Sequence, residues 1–270
     1  MLRDITIGQY FPGKSVIHRM DPRMKLILSI AYIVMLFCVG NEAGFLIPVI
    51  FLIAAIWISK IPFIMVLKGV KPILPLIIFT AVLNIFFVTG EPLVKLGFIT
   101  ITVDGIIVAL KMVIRIIFLI MGTSLLTYTT SPIALTDAIE QLLRPLNKIH
   151  FPVHEMAMMM TIALRFIPTL IEETDKIMSA QKARGADMES GGLMQRAKAL
   201  VPILIPLFIS AFRRAEELAL AMECRCYRGG EGRTRMRQLH YSSLDWYGAA
   251  VMAVCFAGVI LLNIFVPAFV

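Results

Sequence analysis

Four groups of residues in this sequence are of types that do chemistry. His150 and His154 stand four positions apart, a spacing that lets two imidazoles share a metal on one helical face. Pro152 between them interrupts that turn, and an interfacial turn is the expected reading. Cys224 and Cys226 are separated by one residue, not by the two usual in a zinc knuckle, and Cys38 and Cys255 supply no second pair, so no structural metal is expected. Gly229-Gly230-Glu231-Gly232 is rich in glycine but lacks the lysine and hydroxyl that hold phosphate and Mg²⁺, so ATP binding by that route is not expected. Lys111 and Arg115, spaced i, i+4 inside an apolar run, share a helix face that must point into a bundle, a polar cavity or a headgroup layer. They read either as snorkelling or structural contacts, or as part of an ion or substrate path. No serine or cysteine nucleophile pairs with a base within an apolar run, which leaves an intramembrane hydrolase little support. Asp, Glu and His are also missing from those runs, which disfavours a proton-coupled pump.

The elements that must position these groups are set by hydropathy. Of the 270 residues, 59% are hydrophobic and 16% charged, where a soluble domain carries about a quarter charged residues. Mean hydropathy is +0.84 and several charge-free runs extend for 16 to 25 residues, so lipid must solvate much of the chain. Leu26 to Asn41 and Ala43 to Ser59 read as a tight hairpin of two spans, with Asp21-Pro22 as N-cap and first helical residue of the first. Further spans are expected at Pro72 to Gly90, Gly105 to Tyr128 and Trp246 to Val270. The fold expected is an all-α integral membrane protein of about five transmembrane helices plus a cytoplasmic module of long helices. Its segments are 1–130, with four spans, 131–243, the module, and 244–270, the last span.

Charge orients the spans. With the N-terminus cytoplasmic, inner segments hold 5, 3 and 15 basic residues and only Lys95 falls in an outer loop, which places the C-terminus outside. Trp57, Tyr128, Tyr241, Trp246 and Tyr247 then lie near the inner boundary, where amphipathic rings prefer to sit. No cleavable signal is expected, because the first apolar run begins late. The net charge of +8 is what basic loops give a membrane protein through orientation, and the tract Arg225, Arg228, Arg233, Arg235, Arg237 stands just ahead of the last span, where orientation and anionic headgroups favour positive charge. No aromatic platform accompanies it, so nucleic acid is not expected as a partner.

Within 131–243 two apolar blocks, Met156 to Leu170 and Ala199 to Phe212, are short and are interrupted by Arg165 and by Pro202 and Pro206. They are expected to lie against the membrane or beneath a partner. Each continues as a polar helix of about 30 residues in all, some 45 Å long, that ends in an arginine beside a stop signal. The first ends at Ala183-Arg184-Gly185 and the second at Cys224-Arg225-Cys226 with Gly229-Gly230 beyond. The two helices are expected either to carry a polar tip away from the lipid or to cross beneath the bundle. Each arginine either caps its helix dipole or reaches into a groove on a partner, for which its fork of fixed donors is suited.

Motifs along nearly the whole chain resemble the transmembrane T component of energy-coupling factor (ECF) transporters, the vitamin and transition-metal uptake systems. They are His18-Arg19-Met20-Asp21-Pro22-Arg23-Met24-Lys25-Leu26, Thr130-Ser131-Pro132 with Leu142-Leu143-Arg144-Pro145-Leu146, and Leu164-Arg165-Phe166-Ile167-Pro168. Ala180-Gln181-Lys182-Ala183-Arg184-Gly185-Ala186-Asp187 and Arg213-Arg214-Ala215-Glu216-Glu217-Leu218-Ala219-Leu220-Ala221-Met222-Glu223 complete the set. The resemblance implies a non-catalytic scaffold in a bacterial or archaeal cell membrane. Its alanine-arginine-glycine motifs would dock on two ABC-type ATPase subunits, and a coupling surface around Pro168, Pro202 and Pro206 would hold a small substrate-binding membrane subunit. ATP and Mg²⁺ would be bound by the ATPases, with no cofactor on this chain. Arg184 matches the docking motif in full, whereas Arg225 has Cys224 and Cys226 as flanks. The competing reading is a stand-alone permease or secondary carrier with Lys111 and Arg115 in its path.

Overall fold

A computed structural model describes residues 10–41, 43–88, 92–96, 99–186, 192–230 and 238–265. Along the chain lie α1 (Val16–Arg19), α2 (Pro22–Cys38), α3 (Leu46–Ser59), α4 (Phe63–Val70), α5 (Leu74–Phe87), strands β1 (Pro92–Leu96) and β2 (Ile99–Thr102), α6 (Val103–Thr129), α7 (Pro132–Leu143), α8 (Val153–Ala183), α9 (Leu193–Cys224) and α10 (Ser243–Phe265). The chain divides into two compact units, Gly8–Ala138 with Gln238–Val270, and Ile139–Arg237 with Met1–Ile7. The fold is that of an all-α membrane protein, with a single β hairpin among the described residues.

Among the described residues of the first unit, three helical stretches are long and apolar enough to cross a membrane, Phe63–Phe87, Val103–Thr129 and Ser243–Phe265. Helices α2 and α3, at 17 and 14 residues, are shorter. The start of α2 is the one the sequence dictates, with the Asp21 side chain accepting from Arg23 N and Pro22 in the first turn, where a missing N–H costs nothing. The third span differs from its sequence expectation. It begins at Phe63, nine residues before Pro72, because Lys71–Ile73 winds as a 3-10 turn with Pro72 in its first positions, and Pro75 stands at the start of α5. Both prolines therefore fall where their absent donors are tolerated. The β1–β2 hairpin was also not anticipated; it pairs Lys95 with Thr100 and Leu96 with Ile99, and Thr102 at its end caps α6 by accepting from Gly105 N.

The core of this unit joins α2 (Met35, Leu36), α3 (Leu52), α4 (Val66), α6 (Ile120, Met121) and α10 (Met252, Val259). Gly122 on α6 is needed for close approach, because a Cβ there would run into the Tyr32 ring. Polar groups tie the ends of the spans together. At one end Asp245, 1% exposed, accepts from Asp21 N at 2.8 Å and from Ser242 N at 2.6 Å, while Asp21 pairs with Arg23 at 2.6 Å. The Arg23 guanidinium stacks 3.9 Å over the Tyr241 ring, and buried Lys25 donates to His18 O and Thr129 O. At the other end of α2, Asn263 donates to Cys38 O and accepts from Gly40 N, and Arg115 donates to Val39 O. Helix-end carbonyls have no water to bond within a bilayer, and these side chains take its place.

Candidate functional site

The second unit is built on α8 and α9, 31 and 32 residues long, as the periodicity of the sequence requires. Their pairing is antiparallel: Arg214 on α9 donates to Glu173 on α8 at 2.6 Å, and Gln181 on α8 donates to Pro202 O on α9 at 3.3 Å. The second bond follows from the prolines. Pro206 has no N–H, so the carbonyl four residues earlier, that of Pro202, loses its helical partner, and the Gln181 side chain replaces it. Pro168 likewise interrupts the ladder within α8.

Both helices end on an arginine, and the two ends are built alike. Arg184 is the C-cap of α8; Gly185 follows at φ +86° and donates to Lys182 O, and Ala186 donates to Gln181 O. Arg225 is the C-cap of α9; Cys226 follows at φ +54° and donates to Glu223 O, and Tyr227 donates to Met222 O. Each is a complete Schellman cap, with the 6→1 and 5→2 bonds both made. Cys226 therefore occupies the left-handed position that Gly185 fills in the first copy, at the cost of about 1 to 2 kcal/mol for a residue with a Cβ. Ala183 and Cys224 are the last helical residues of their respective helices, and all six residues of the two motifs are exposed. Neither guanidinium has a hydrogen-bond or ion-pair partner among the described residues.

The two tips do not form a common point. Arg184 stands at the C-terminal end of α8, which spans about 45 Å. The loop after Arg225 returns to the other end of α8, where Gly230 packs on the ring of His154 so closely that a Cβ would overlap it. The arginines are thus separated by a distance on the order of 40 Å. His154 Nδ1 lies 3.1 Å from a Glu140 carboxylate oxygen, which fixes the ring that Gly230 abuts.

The α9 block between these ends carries an exposed apolar face. Val201, Ile205, Phe208 and Phe212, spaced i, i+4, i+7, i+11, are all exposed, and Leu204 and Ile209 broaden the stripe. Pro202 and Pro206 lie within it and Pro168 on the paired helix. In the first unit, Arg115 on α6 donates to Val39 O at 3.0 Å and lies over the rings of Phe37 and Phe45, and Lys111 lies one turn earlier and also has a partner. His150 ends a 3-10 turn at φ +59°, Cys224 and Cys226 are free thiols, and no metal-binding cluster of three or more His, Cys, Asp or Glu occurs among the described residues. Arg233, Arg235 and Arg237, like Asp187, lie outside the described residues.

Sequence reasoning named Gln181 and Gly230 without finding what they do, and missed Asp245 altogether. The signal for Gln181 was present in Pro206, since every interior proline leaves a carbonyl that something must satisfy. No comparable local signal marks Gly230 or Asp245, whose partners are distant in the chain.

Comparison with known proteins agrees with the motifs. Residues 13–236 match the family model for CbiQ, described as cobalt transport protein. A Clostridium kluyveri protein named energy-coupling factor transporter transmembrane protein EcfT is 59% identical over 259 residues, covering 94% of this chain and 96% of that protein. Proteins of the same name from Acidaminococcus fermentans and Bacillus subtilis are 52% and 47% identical, over 99% and 91% of this chain and 100% and 93% of their own lengths. The repeated arginine caps and the apolar spans thus stand in a chain that belongs to the CbiQ family, the transmembrane components of energy-coupling factor transporters.

Proposed function

We propose that this chain is the coupling scaffold of an ATP-driven uptake transporter for a vitamin or a transition-metal ion. Ala183-Arg184-Gly185 and Cys224-Arg225-Cys226 dock on two ABC-type ATPase subunits, which bind ATP and Mg²⁺, while this chain performs no catalysis. The exposed apolar stripe of α9, with Pro202 and Pro206 in it and Pro168 on the paired helix, holds a small substrate-binding membrane subunit. The N-terminus is cytoplasmic and the C-terminus outside, on the strength of the basic residues that flank the inner ends of the spans.

The observation that carries this reading is the duplicated cap. Two exposed arginines, each fixed at the end of a long helix by the same pair of backbone bonds, stand on the order of 40 Å apart at opposite ends of one helix pair. A helix needs only one favourable charge at its C-terminus for its dipole, and any lysine in the last turn would serve. Identical presentation of two guanidiniums at that separation suits two sockets on two bodies. Arg115, by contrast, makes contacts suited to capping α2, so no observation favours a carrier path through Lys111 and Arg115.

Affinity purification of the tagged full chain from mild detergent, followed by mass spectrometry, tests the proposal. Two ATPase copies and one small membrane subunit per chain are expected; recovery of the chain alone, with substrate transport by the reconstituted chain without ATP, overturns it. The seat of Arg225 gives a further expectation. Gly230→Val forces the loop off His154, with strain of about 1 to 3 kcal/mol. ATPase binding should weaken by about tenfold, and His154→Ala in the same chain should restore it by making room.

A further inference from the structure

We infer that the first unit holds one phospholipid acyl chain in a cavity between α2, α3, α6 and α10, as an integral lipid site. The cavity measures about 290 Å³. Its floor is Tyr32, Leu52, Met252 and Gly122, all buried or packed against the buried Tyr32 ring, and its open side lies between Ile58 of α3 and Tyr247 and Val251 of α10, which are exposed. The opening is therefore lateral, between two apolar helices of a membrane protein, and what enters must come from the lipid phase.

Water does not suit this space. The volume equals the share of roughly ten waters, each of which needs two to four polar partners. The principal polar groups of the wall are already engaged by the protein: Lys25 Nζ donates to His18 O and Thr129 O, Thr129 Oγ1 to Leu125 O, and Tyr32 OH to Phe118 O. Apart from Ser29 and the Tyr247 ring at the open side, what remains is Leu, Ile, Val, Met, Ala and Phe surface with two glycines, which gains dispersion contacts chiefly from hydrocarbon. The headgroup end is marked by charge. Val16 and Ile17 of α1 close the cavity beside the inner ends of α2 and α10, and exposed Lys14 just before α1 and exposed Arg19 at its last position put cations where a phosphodiester above the chain would sit. A partner's side chain would fill the same gap without needing those cations.

The test uses the purified full chain in vesicles of phosphatidylglycerol bearing a diazirine in one acyl chain. Photolabelling is expected on the peptides that carry Tyr32 and Met252, reduced at least fivefold by Ala55→Phe, which fills the cavity, and unchanged by Val254→Phe on the exposed face of α10. Ile58→Trp, at the open side where bulk is tolerated, should reduce labelling in the same way if Ala55→Phe does not fold. Diacylglycerol bearing the same diazirine should label those peptides more weakly than phosphatidylglycerol. Equal labelling of Met252 in the parent and in both filled variants, or label spread evenly along the exposed face of α10, would overturn the site, and equal labelling by the two lipids would overturn the part played by the headgroup. None of these outcomes depends on ATPase docking.

Discussion

Replacing Arg184 and Arg225 together by alanine is expected to abolish ATP-driven uptake while leaving the amount of protein in the membrane unchanged. Both side chains are exposed and without a described partner, so their removal takes nothing from the fold, and the caps behind them are made of backbone groups that alanine retains. What is lost is the grip. Hydrogen bonds from a charged donor contribute about 1.5 to 3 kcal/mol each, so either single replacement should weaken ATPase association by roughly ten- to a hundredfold. Loss of both leaves no seat at either end. Lysine should rescue poorly, because a point charge on a flexible stem does not reproduce the planar fork of donors. The measurement is substrate accumulation in vesicles containing the whole complex, together with recovery of ATPase on the tagged chain. Coupling requires contacts that differ between the nucleotide states, since a helix gripped equally in both would transmit nothing. Full transport by the double variant would refute the docking assignment.

Asp245→Ala is expected to act on the fold rather than on docking. This carboxylate is 1% exposed and receives two backbone N–H groups, Asp21 N and Ser242 N, as well as the Ser242 hydroxyl. Alanine leaves those donors without an acceptor and removes a negative charge from a site shared with buried Lys25. The loss should be on the order of 3 kcal/mol or more, enough to deplete folded protein, whereas Asp245→Asn retains one acceptor oxygen and should lose less. Monodispersity on size exclusion after graded heating distinguishes the three proteins. An alanine variant as heat-resistant as the parent would show that the clasp between α2 and α10 is dispensable.

What could be read in the sequence were features whose cause is local. Asp21-Pro22 announces a helix start because a side-chain oxygen and a preset φ act within one turn, and Ala183-Arg184-Gly185 announces a helix end in the same way. The equivalence of the second end was harder to see, since Cys226 conceals a left-handed residue behind a type that seldom adopts one. Pairing was not legible at all. Glu173 and Arg214 are both conspicuous charges, but 41 positions separate them, and nothing in the spacing says that one faces the other. The early start at Phe63 was missed because Pro72 reads as a helix boundary unless a 3-10 turn absorbs it.

The bond from Gln181 to Pro202 O and the ion pair from Arg214 to Glu173 pin α8 to α9 at two places. A beam pinned twice has one tilt, and depressing one extremity raises the other. Engines mounted at its two extremities could not stroke independently; each would have to keep time with its fellow or stall it.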